Sequence, residues 1–207
     1  MTDSGRRAFF RAGTRKVAEA VVDQADAHAR QRAKHWIRPP YALDELEFLT
    51  TCTRCGECVD ACLYQVVFLL PPRLGAAVAS TPALDLTNRG CHLCADWPCV
   101  TACEPRALKL PETTPDTAVP MPRVAIVNIN PQACLPYLGP ECGACAPSCP
   151  IPGALTWSAA KPVIDPGPCT GCGLCREACI VDPKAIEIKS LHRDAEQGNA
   201  PKRSFKL

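Results

Sequence analysis

The sequence has few of the large apolar residues from which small proteins usually build a core. Among 207 residues there are 5 Phe, 3 Trp, 3 Tyr and 2 Met, whereas Pro reaches 22 and Gly 12. Such a chain forms few long regular elements, and it needs covalent or metal staples to hold a fold. It also lacks any apolar run of the length that spans a bilayer, so no direct membrane span is expected.

Recognisable catalytic motifs are missing as well. The four histidines, His28, His35, His92 and His192, lie outside any motif, and neither a glycine-rich dinucleotide fingerprint nor a P-loop occurs. No basic stripe with interleaved aromatic residues indicates nucleic-acid binding. The sequence therefore predicts a non-catalytic protein without flavin, nicotinamide, ATP or nucleic acid as a partner.

Cysteine is the residue that is abundant, and its distribution is regular. The 16 cysteines fall into four motifs of four, with none left over. The motifs are Cys52, Cys55, Cys58 and Cys62; Cys91, Cys94, Cys99 and Cys103; Cys134, Cys142, Cys145 and Cys149; and Cys169, Cys172, Cys175 and Cys179. A pattern that recurs four times is an internal repeat, and it predicts the same chemistry at each occurrence.

Three kinds of chemistry use cysteines at close spacing. Disulfides are disfavoured because thiols two residues apart point into one shared pocket and are poorly placed to pair across a fold. Structural zinc usually takes two cysteines from each of two separated knuckles, whereas here one loop offers three. The run C-x2-C-x2-C-x3-C is the bacterial signature for [4Fe–4S] clusters, in which three cysteines hold one cubane and the fourth ligates its partner.

Two motifs match that run without deviation, Cys52–Cys62 and Cys169–Cys179, and two depart from it by longer internal spacings. We therefore predict four [4Fe–4S] clusters, with all sixteen cysteines as iron ligands. The glycines inside the loops, Gly56, Gly143, Gly171 and Gly173, are expected to let the chain wrap closely round each cube. Trp97 is expected to shield one cubane from water, and His92 either to make a loop hydrogen bond or to tune a potential.

Short apolar runs alternate with turn residues between the motifs. The runs at 66–70, 107–110, 123–129, 154–157, 161–165 and 185–189 predict short strands, and a helical turn is expected to carry the third and fourth cysteine of each motif. The expected fold class is α+β, with tandem bacterial ferredoxin-like units. The expected domains are a basic helical segment over 1–40, a double ferredoxin-like domain over 41–190 and a basic tail over 191–207.

Which motifs share a unit is open from the sequence. Consecutive pairing joins the first motif to the second and the third to the fourth, and nested pairing joins the second to the third and the first to the fourth. The stretch from Cys103 to Cys134 resembles one hairpin inside one unit, which slightly favours nesting. In either scheme the four cubanes are expected to form a chain rather than a heap, and apo-protein is expected to fold poorly.

The first 38 residues differ from the rest, with no cysteine and nine Lys/Arg against four Asp/Glu. Phe10, Val17, Val21 and Ala25 recur at helical spacing, which predicts an amphipathic helix over 6–35 that lies on the cluster domain or docks a partner. Paired arginines at 6–7 resemble a twin-arginine signal, but no apolar stretch follows. The expectation is a cytoplasmic, uncleaved protein; an alternative is export together with a partner that carries the signal.

The motifs also carry a family resemblance. The stretch "RPPYALDELEFLTTCTRCGECVDAC" at 38–62 and "CLPYLGPECGACAPSCP" resemble ferredoxin-type proteins of periplasmic nitrate reductase operons, the NapF type. The stretch "CHLCADWPCVTACEPRAL" is more similar to the NapG/MauM type and to four-cluster electron-transfer subunits of molybdopterin oxidoreductases. The resemblance covers residues 38–190.

The resemblance implies a polyferredoxin-type electron-transfer subunit. Its partners would be a catalytic molybdenum- or tungsten-pterin subunit, of the nitrate reductase or aldehyde oxidoreductase type, and a further redox protein. The alternatives are a cytoplasmic accessory or maturation protein for such an enzyme and a free polyferredoxin. Because oxidised clusters with four thiolates would shift the formal charge from +2 to about −6, the basic N-terminus would face an acidic cluster body, so copies of the chain could also contact one another.

Overall fold

A computed structural model describes residues 3–112 and 119–193 of the chain, with side chains from residue 17 onward. The chain opens with helix α1, Asp3–Arg32, which continues into a single 3-10 turn, Ala33–His35. Alanine and arginine dominate this segment and favour helix, and an Asp26–Arg30 ion pair of 2.9 Å supports one face at i,i+4 spacing. The helix predicted over 6–35 is confirmed, although Phe10 and the basic tail beyond residue 193 lie outside what is described.

Most of the described surface of α1 does not contact the cluster body. Val17, Val21 and Val22 are 65%, 60% and 55% exposed, and the first buried side chain after residue 16 is Ala29. Only the last turns of the helix and the segment after it are anchored. The idea that the helix lies along the body is therefore wrong for residues 17–28, and the idea that it docks a partner stays a prediction.

The N-terminal half of the body (residues 36–112) consists of helical turns and one hairpin. Its elements are α2, Glu45–Thr51; α3, Glu57–Asp60; β1, Val67–Leu69; a 3-10 turn, Pro72–Leu74; β2, Pro82–Leu84; and α4, Pro98–Thr101. Strands β1 and β2 pair antiparallel, with Phe68 opposite Ala83. The two ends of this half meet in one isolated bridge, Ala42 to Leu108.

The C-terminal half (residues 119–193) repeats the plan with longer ladders. Its elements are β3, Ala125–Ile129; α5, Leu135–Leu138; a 3-10 turn, Ala146–Ser148; β4, Leu155–Ser158; β5, Lys161–Ile164; α6, Leu174–Glu177; and β6, Ile186–Ser190. Strands β4 and β5 form the inner hairpin, and the first and last strands, β3 and β6, pair antiparallel outside it. The chain is thus a small α+β protein of helical turns and two-stranded sheets.

The strand pairing shows that consecutive motifs share a half, so the nested arrangement was wrong. Strand β3 precedes the third motif and pairs with β6, which follows the fourth. The run at 107–110 pairs back to Ala42 and not forward to 123–129. The physical reason is that the expected second arm of a hairpin between Cys103 and Cys134, the strand at 125–129, has all five of its residues paired with β6 instead.

Five of the six predicted strands are confirmed within a residue or two, but the run at 107–110 forms only an isolated bridge at Leu108, and one strand was missed. Strand β2 was not expected because its segment is three residues long and begins with Pro82, and proline is tolerated in a sheet only at an edge or at the start of a strand. The expected helical turn carries the third cysteine in α3, α4 and α6, whereas the fourth cysteine follows just after it.

The apolar core is concentrated in the N-terminal half. Among the described residues, the largest fully buried side chains are Phe48, Leu108, Glu45, Val66, Val78, Thr81, Pro39, Pro40 and Pro162, and only the last belongs to the C-terminal half. An ion pair lies inside this core: the Arg38 guanidinium donates to both Glu45 carboxylate oxygens, at 2.6 and 3.0 Å. The Arg38 cation also stacks 4.5 Å above the Phe48 ring.

Candidate metal centre

The fold gathers the sixteen cysteines into four quartets, each with three cysteines from one motif and the fourth from the neighbouring motif. They are quartet 1, Cys52, Cys55, Cys58 and Cys103; quartet 2, Cys91, Cys94, Cys99 and Cys62; quartet 3, Cys134, Cys142, Cys145 and Cys179; and quartet 4, Cys169, Cys172, Cys175 and Cys149. The last cysteine of each motif has crossed over. This 3+1 exchange is the ligand pattern of paired cubanes.

Three of the quartets each line one pocket. All four cysteines of quartet 2, of quartet 3 and of quartet 4 lie in the walls of a single pocket. The remaining lining is mainly apolar, for example Trp97 at quartet 2, Trp157 at quartet 3 and Val127 at quartet 4. Each cavity is thus a mainly apolar space with four soft sulfur donors in its walls.

The type of donor limits which metals could bind. None of the sixteen cysteines, all of which are described, forms a disulfide. Thiolates prefer iron–sulfur clusters, Cu(I) and zinc among biological metals. In the described residues, no set of three or more His, Cys, Asp or Glu side chains is arranged to hold a single metal ion.

Burial strongly affects the acidity of these thiols. Desolvation raises the pKa of Cys58, Cys99 and Cys175 to about 12, and that of Cys91 to about 11, with neighbouring cysteines adding repulsion. Without a compensating positive charge the thiols stay protonated at neutral pH. Metal binding must therefore displace these protons, and bound iron supplies the missing positive charge.

Backbone N–H groups point at the sulfurs from the loops. The Val66 amide donates to Cys62 Sγ at 3.4 Å and the Leu108 amide donates to Cys103 Sγ at 3.3 Å, which places equivalent hydrogen bonds on two crossed-over cysteines. At the first cysteine of a motif, the amide two residues on lowers the thiol pKa, as Leu93 does for Cys91. Such bonds stabilise the charged sulfur and tune the potential of a bound cluster.

In the loops of the first, second and fourth motifs, two residues adopt a left-handed backbone conformation. The residue two after the first cysteine has positive φ (Arg54, Leu93 and Gly171), and so has the residue two before the third cysteine (Gly56, Trp97 and Gly173). In the second motif, Trp97 takes the place that glycine holds elsewhere, with φ of 46°. Gly143, in contrast, has no positive φ, and its expected close approach to a cube stays a prediction.

Aromatic side chains cover quartet 2. Trp97 is buried, lines the cavity and meets Tyr41 edge to face at 4.9 Å, and its predicted shielding of a cubane stays a prediction. His92 is exposed and stacks on Tyr64 at 3.5 Å. Both Tyr64 and His92 line the same cavity, which favours an influence on that site over a purely structural loop bond.

The quartets follow one another in space in the order 1, 2, 4, 3. Cys58 of quartet 1 acts electrostatically on Cys99 of quartet 2, and Cys145 of quartet 3 acts on Cys175 of quartet 4. Quartets 2 and 4 meet where the Cys91 amide donates to the Cys172 carbonyl at 2.7 Å. The expected chain-like order of the sites is therefore present.

Sequence reasoning missed residues that lie outside the cysteine motifs but next to the quartets. The Arg38–Glu45 pair lies next to quartet 1, where the Arg38 cation lowers the pKa of Cys52 against the larger opposing effect of burial. Gly90, just before Cys91, lies against Leu174. Neither position has a local signal, because a charged residue and a glycine are both ordinary on a surface.

These features define the class of protein: an iron–sulfur electron-transfer protein of the ferredoxin type. The chain is 34% identical over 197 residues to the methylamine utilization ferredoxin-type protein MauM of Methylobacillus flagellatus, covering 88% of this chain and 82% of that protein. It is 31% identical over 205 residues to the ferredoxin-type protein NapG of Escherichia coli, covering 91% and 87%. It is also 32% identical over 168 residues to Escherichia coli NapF, covering 78% and 90%.

The chain belongs to this MauM/NapG group of ferredoxin-type proteins. No family model matches it, and no solved structure is significantly similar. Within the part of the chain that the structure describes, no helix has both the length and the apolar character needed to cross a membrane.

Proposed function

We propose that each quartet holds one [4Fe–4S] cluster and that the sixteen cysteines are the iron ligands. Residues 41–190 are then a double ferredoxin-like domain, with clusters 1 and 2 in the N-terminal half and clusters 3 and 4 in the C-terminal half. The observation that carries this proposal is the 3+1 composition of every quartet, since zinc knuckles or disulfides give no reason for the fourth cysteine to cross over. The clusters supply one-electron redox chemistry when they are bound.

The protein then acts as a polyferredoxin-type subunit that relays single electrons through the order 1, 2, 4, 3. The mainly apolar cavities exclude water and the loop amides stabilise sulfur charge, so each site can change its charge by one electron with little rearrangement. A site at either end of the row gives access for one redox partner. The chain itself binds, shields and positions the clusters, and it forms or breaks no covalent bonds in a substrate.

The partner we propose is a molybdenum- or tungsten-pterin oxidoreductase of the nitrate reductase or aldehyde oxidoreductase type, in the cytoplasm. The name of the MauM relatives includes methylamine utilization, which makes an amine-oxidising system a second candidate. Both candidates share one requirement, a catalytic subunit that delivers or accepts electrons one at a time at an end of the row.

The cofactor content is tested by anaerobic purification followed by iron and sulfide analysis and native mass spectrometry. The expected result is about sixteen iron and sixteen sulfide per chain. A Cys55→Ser variant should lose one cluster, whereas Ala95→Ser, an exposed change beside Cys94, should keep all four. Content of one zinc per quartet without sulfide would refute the proposal.

The relay is tested in the same preparation with its native partner. Cys55→Ser should stop turnover with the physiological electron partner but leave turnover with an artificial dye at the catalytic subunit unchanged. Unchanged physiological turnover would count against a relay. Recovery only with an immature enzyme would indicate a maturation protein instead, and recovery alone a free polyferredoxin.

A further inference from the structure

The two halves contact each other along a seam formed by residues 87–91 and 172–177, where Gly90 allows an unusually close approach. A Cβ atom built on Gly90 would lie 2.8 Å from both the backbone N and the Cα of Leu174, and 2.7 Å from its Cδ2. Side-chain carbons do not approach backbone this closely, and the backbone of α6 cannot yield as a flexible side chain can. Only glycine at position 90 therefore permits the observed contact.

Hydrogen bonds fasten the same seam on both sides of this glycine. The Gly90 amide donates to Glu177 Oε2 at 2.8 Å, and Arg176 Nε donates to the Thr87 carbonyl at 2.9 Å. The Gly90 bond is to a carboxylate and therefore belongs to the stronger class of hydrogen bonds. These two hydrogen bonds thus hold the N-terminal half against α6.

The next bond along the seam joins two of the cysteine quartets directly. The Cys91 amide donates to the Cys172 carbonyl at 2.7 Å, and these residues belong to quartets 2 and 4. The connection from one quartet to the other is two cysteine residues and one hydrogen bond. Quartets 1 and 3 lie farther along the row, so this is the place where the two halves exchange electrons if the quartets hold clusters.

We propose that this seam is the electron-transfer junction between the halves and that Gly90 is the positioning residue that sets the distance across it. The inference rests on the proposed four-cluster function. In the step itself, the reduced cluster at quartet 2 loses one electron and the oxidised cluster at quartet 4 gains it, or the reverse. No bond forms and no proton moves. Because electron tunnelling falls off exponentially with distance, a small separation of the halves slows this step.

A Gly90→Ala substitution in the full-length, cluster-loaded protein tests the distance. Restoring an ordinary contact of 3.4 Å from 2.8 Å requires the backbones to part by roughly 0.6 Å. The expected results are unchanged iron content, a weaker magnetic interaction between the reduced clusters in the electron paramagnetic resonance spectrum, and intramolecular electron transfer that is about twofold slower after flash reduction. The control is Ala76→Val, which adds side-chain volume at an exposed position outside the cysteine motifs.

A second pair of variants covers the case in which Gly90→Ala fails to fold. Glu177→Gln and Glu177→Leu both remove the carboxylate charge, but only the glutamine keeps an oxygen that accepts the Gly90 amide. The leucine variant should show the weaker magnetic interaction and slower transfer, and the glutamine variant should stay close to the parent. This difference separates the hydrogen bond from the charge.

The outcomes separate the two proposals. Parent protein without four clusters refutes the proposed function and, with it, the junction. Four clusters with an unchanged magnetic interaction and an unchanged transfer rate in both Gly90→Ala and Glu177→Leu refute the junction alone. An equal loss of magnetic interaction and of transfer rate in Glu177→Gln and Glu177→Leu also refutes the junction, since the charge and not the hydrogen bond would then control the step.

Discussion

The two halves of the body hold similar cysteine quartets but are stabilised differently. The N-terminal half buries Phe48, Val66 and Leu108 completely, yet its outer ladder is one isolated bridge. The C-terminal half has a five-residue outer ladder from Ala125 to Ile129, but among its described residues only Pro162 is one of the largest fully buried side chains. The N-terminal half thus has most of the fully buried large side chains, and the C-terminal half has the longer backbone ladder.

This difference shows that the same cysteine pattern can be held by two halves with unequal apolar cores. A protein this small with few large apolar residues is only marginally stable from burial alone. Where the core is thin, metal ligation must contribute a larger share of the folding free energy. The C-terminal half is therefore expected to depend more on its clusters than the N-terminal half does.

Removal of iron should give the largest effect and should separate the halves. After anaerobic chelation, residues 119–193 are expected to lose nearly all protection from amide hydrogen exchange, while the segment around Phe48 keeps some protection. Hydrogen-exchange mass spectrometry of apo- and holo-protein measures this directly. Equal loss in both halves would show that the apolar core contributes no independent stability.

Truncation of the core should cost more in the N-terminal half. Phe48→Ala removes a fully buried ring and is expected to lower the free energy of unfolding by about 4 kcal/mol. Trp157→Ala removes a larger side chain that is 37% exposed, and a loss of about 1 kcal/mol is expected. Denaturant unfolding of the holo-proteins provides the comparison, and similar losses for the two would contradict the proposed difference.

Breaking the buried ion pair should have the next largest effect. Glu45→Gln leaves the Arg38 guanidinium without a counter-charge in the core, so a loss of about 3 kcal/mol is expected. The control is Glu112→Gln, which removes a carboxylate from a solvent-exposed pair with Lys109 and should leave the melting temperature unchanged. If both variants melt like the parent, the pair does not hold the N-terminal core together.

The smallest expected effect is a pH dependence of the folding stability, which His192 should cause where the C-terminal half meets α1. Burial lowers the pKa of His192, whose charged neighbours are Glu45, Arg30, Arg38 and Asp26. Because the unfolded chain binds a proton more readily than the folded one, stability falls as pH drops through the ordinary histidine pKa of about 6.5.

A His192→Gln variant should therefore lose less stability than the parent between about pH 7 and pH 5.5. The measurement is the difference in melting temperature between variant and parent across this range, since acid damage to the clusters affects both alike. A constant difference would mean that His192 does not titrate on unfolding.

Some of the fold could be read from the chain because its signals are local. The strands at 66–70, 154–157 and 161–165 were predictable since apolar runs there are bounded by Pro and Gly. The pairing of motifs was mispredicted, because strand partners depend on contacts between Ala125 and Ser190 that lie 65 residues apart. The hairpin strand β2 was missed because three residues carry too little pattern.

The candidate site divides in the same way. The identity of the sixteen cysteines and the soft-metal chemistry followed from spacing alone, because a loop of a few residues can deliver three sulfurs to one place. The left-handed Trp97 at a glycine-like position had no sequence signal, since a longer loop can place any residue there. The stacking of His92 on Tyr64 likewise depends on the meeting of two different motifs.

The sixteen cysteines and their fourfold repetition are thus properties of the primary structure, since the spacing of the cysteines within each loop is set by covalent geometry. Their partition into quartets, the row 1, 2, 4, 3 and the close contact of Gly90 with Leu174 exist only in the folded chain. These depend on which surfaces pack together, and packing is decided by shape and burial over the whole molecule. The same cysteines in a nested fold would have formed a different row.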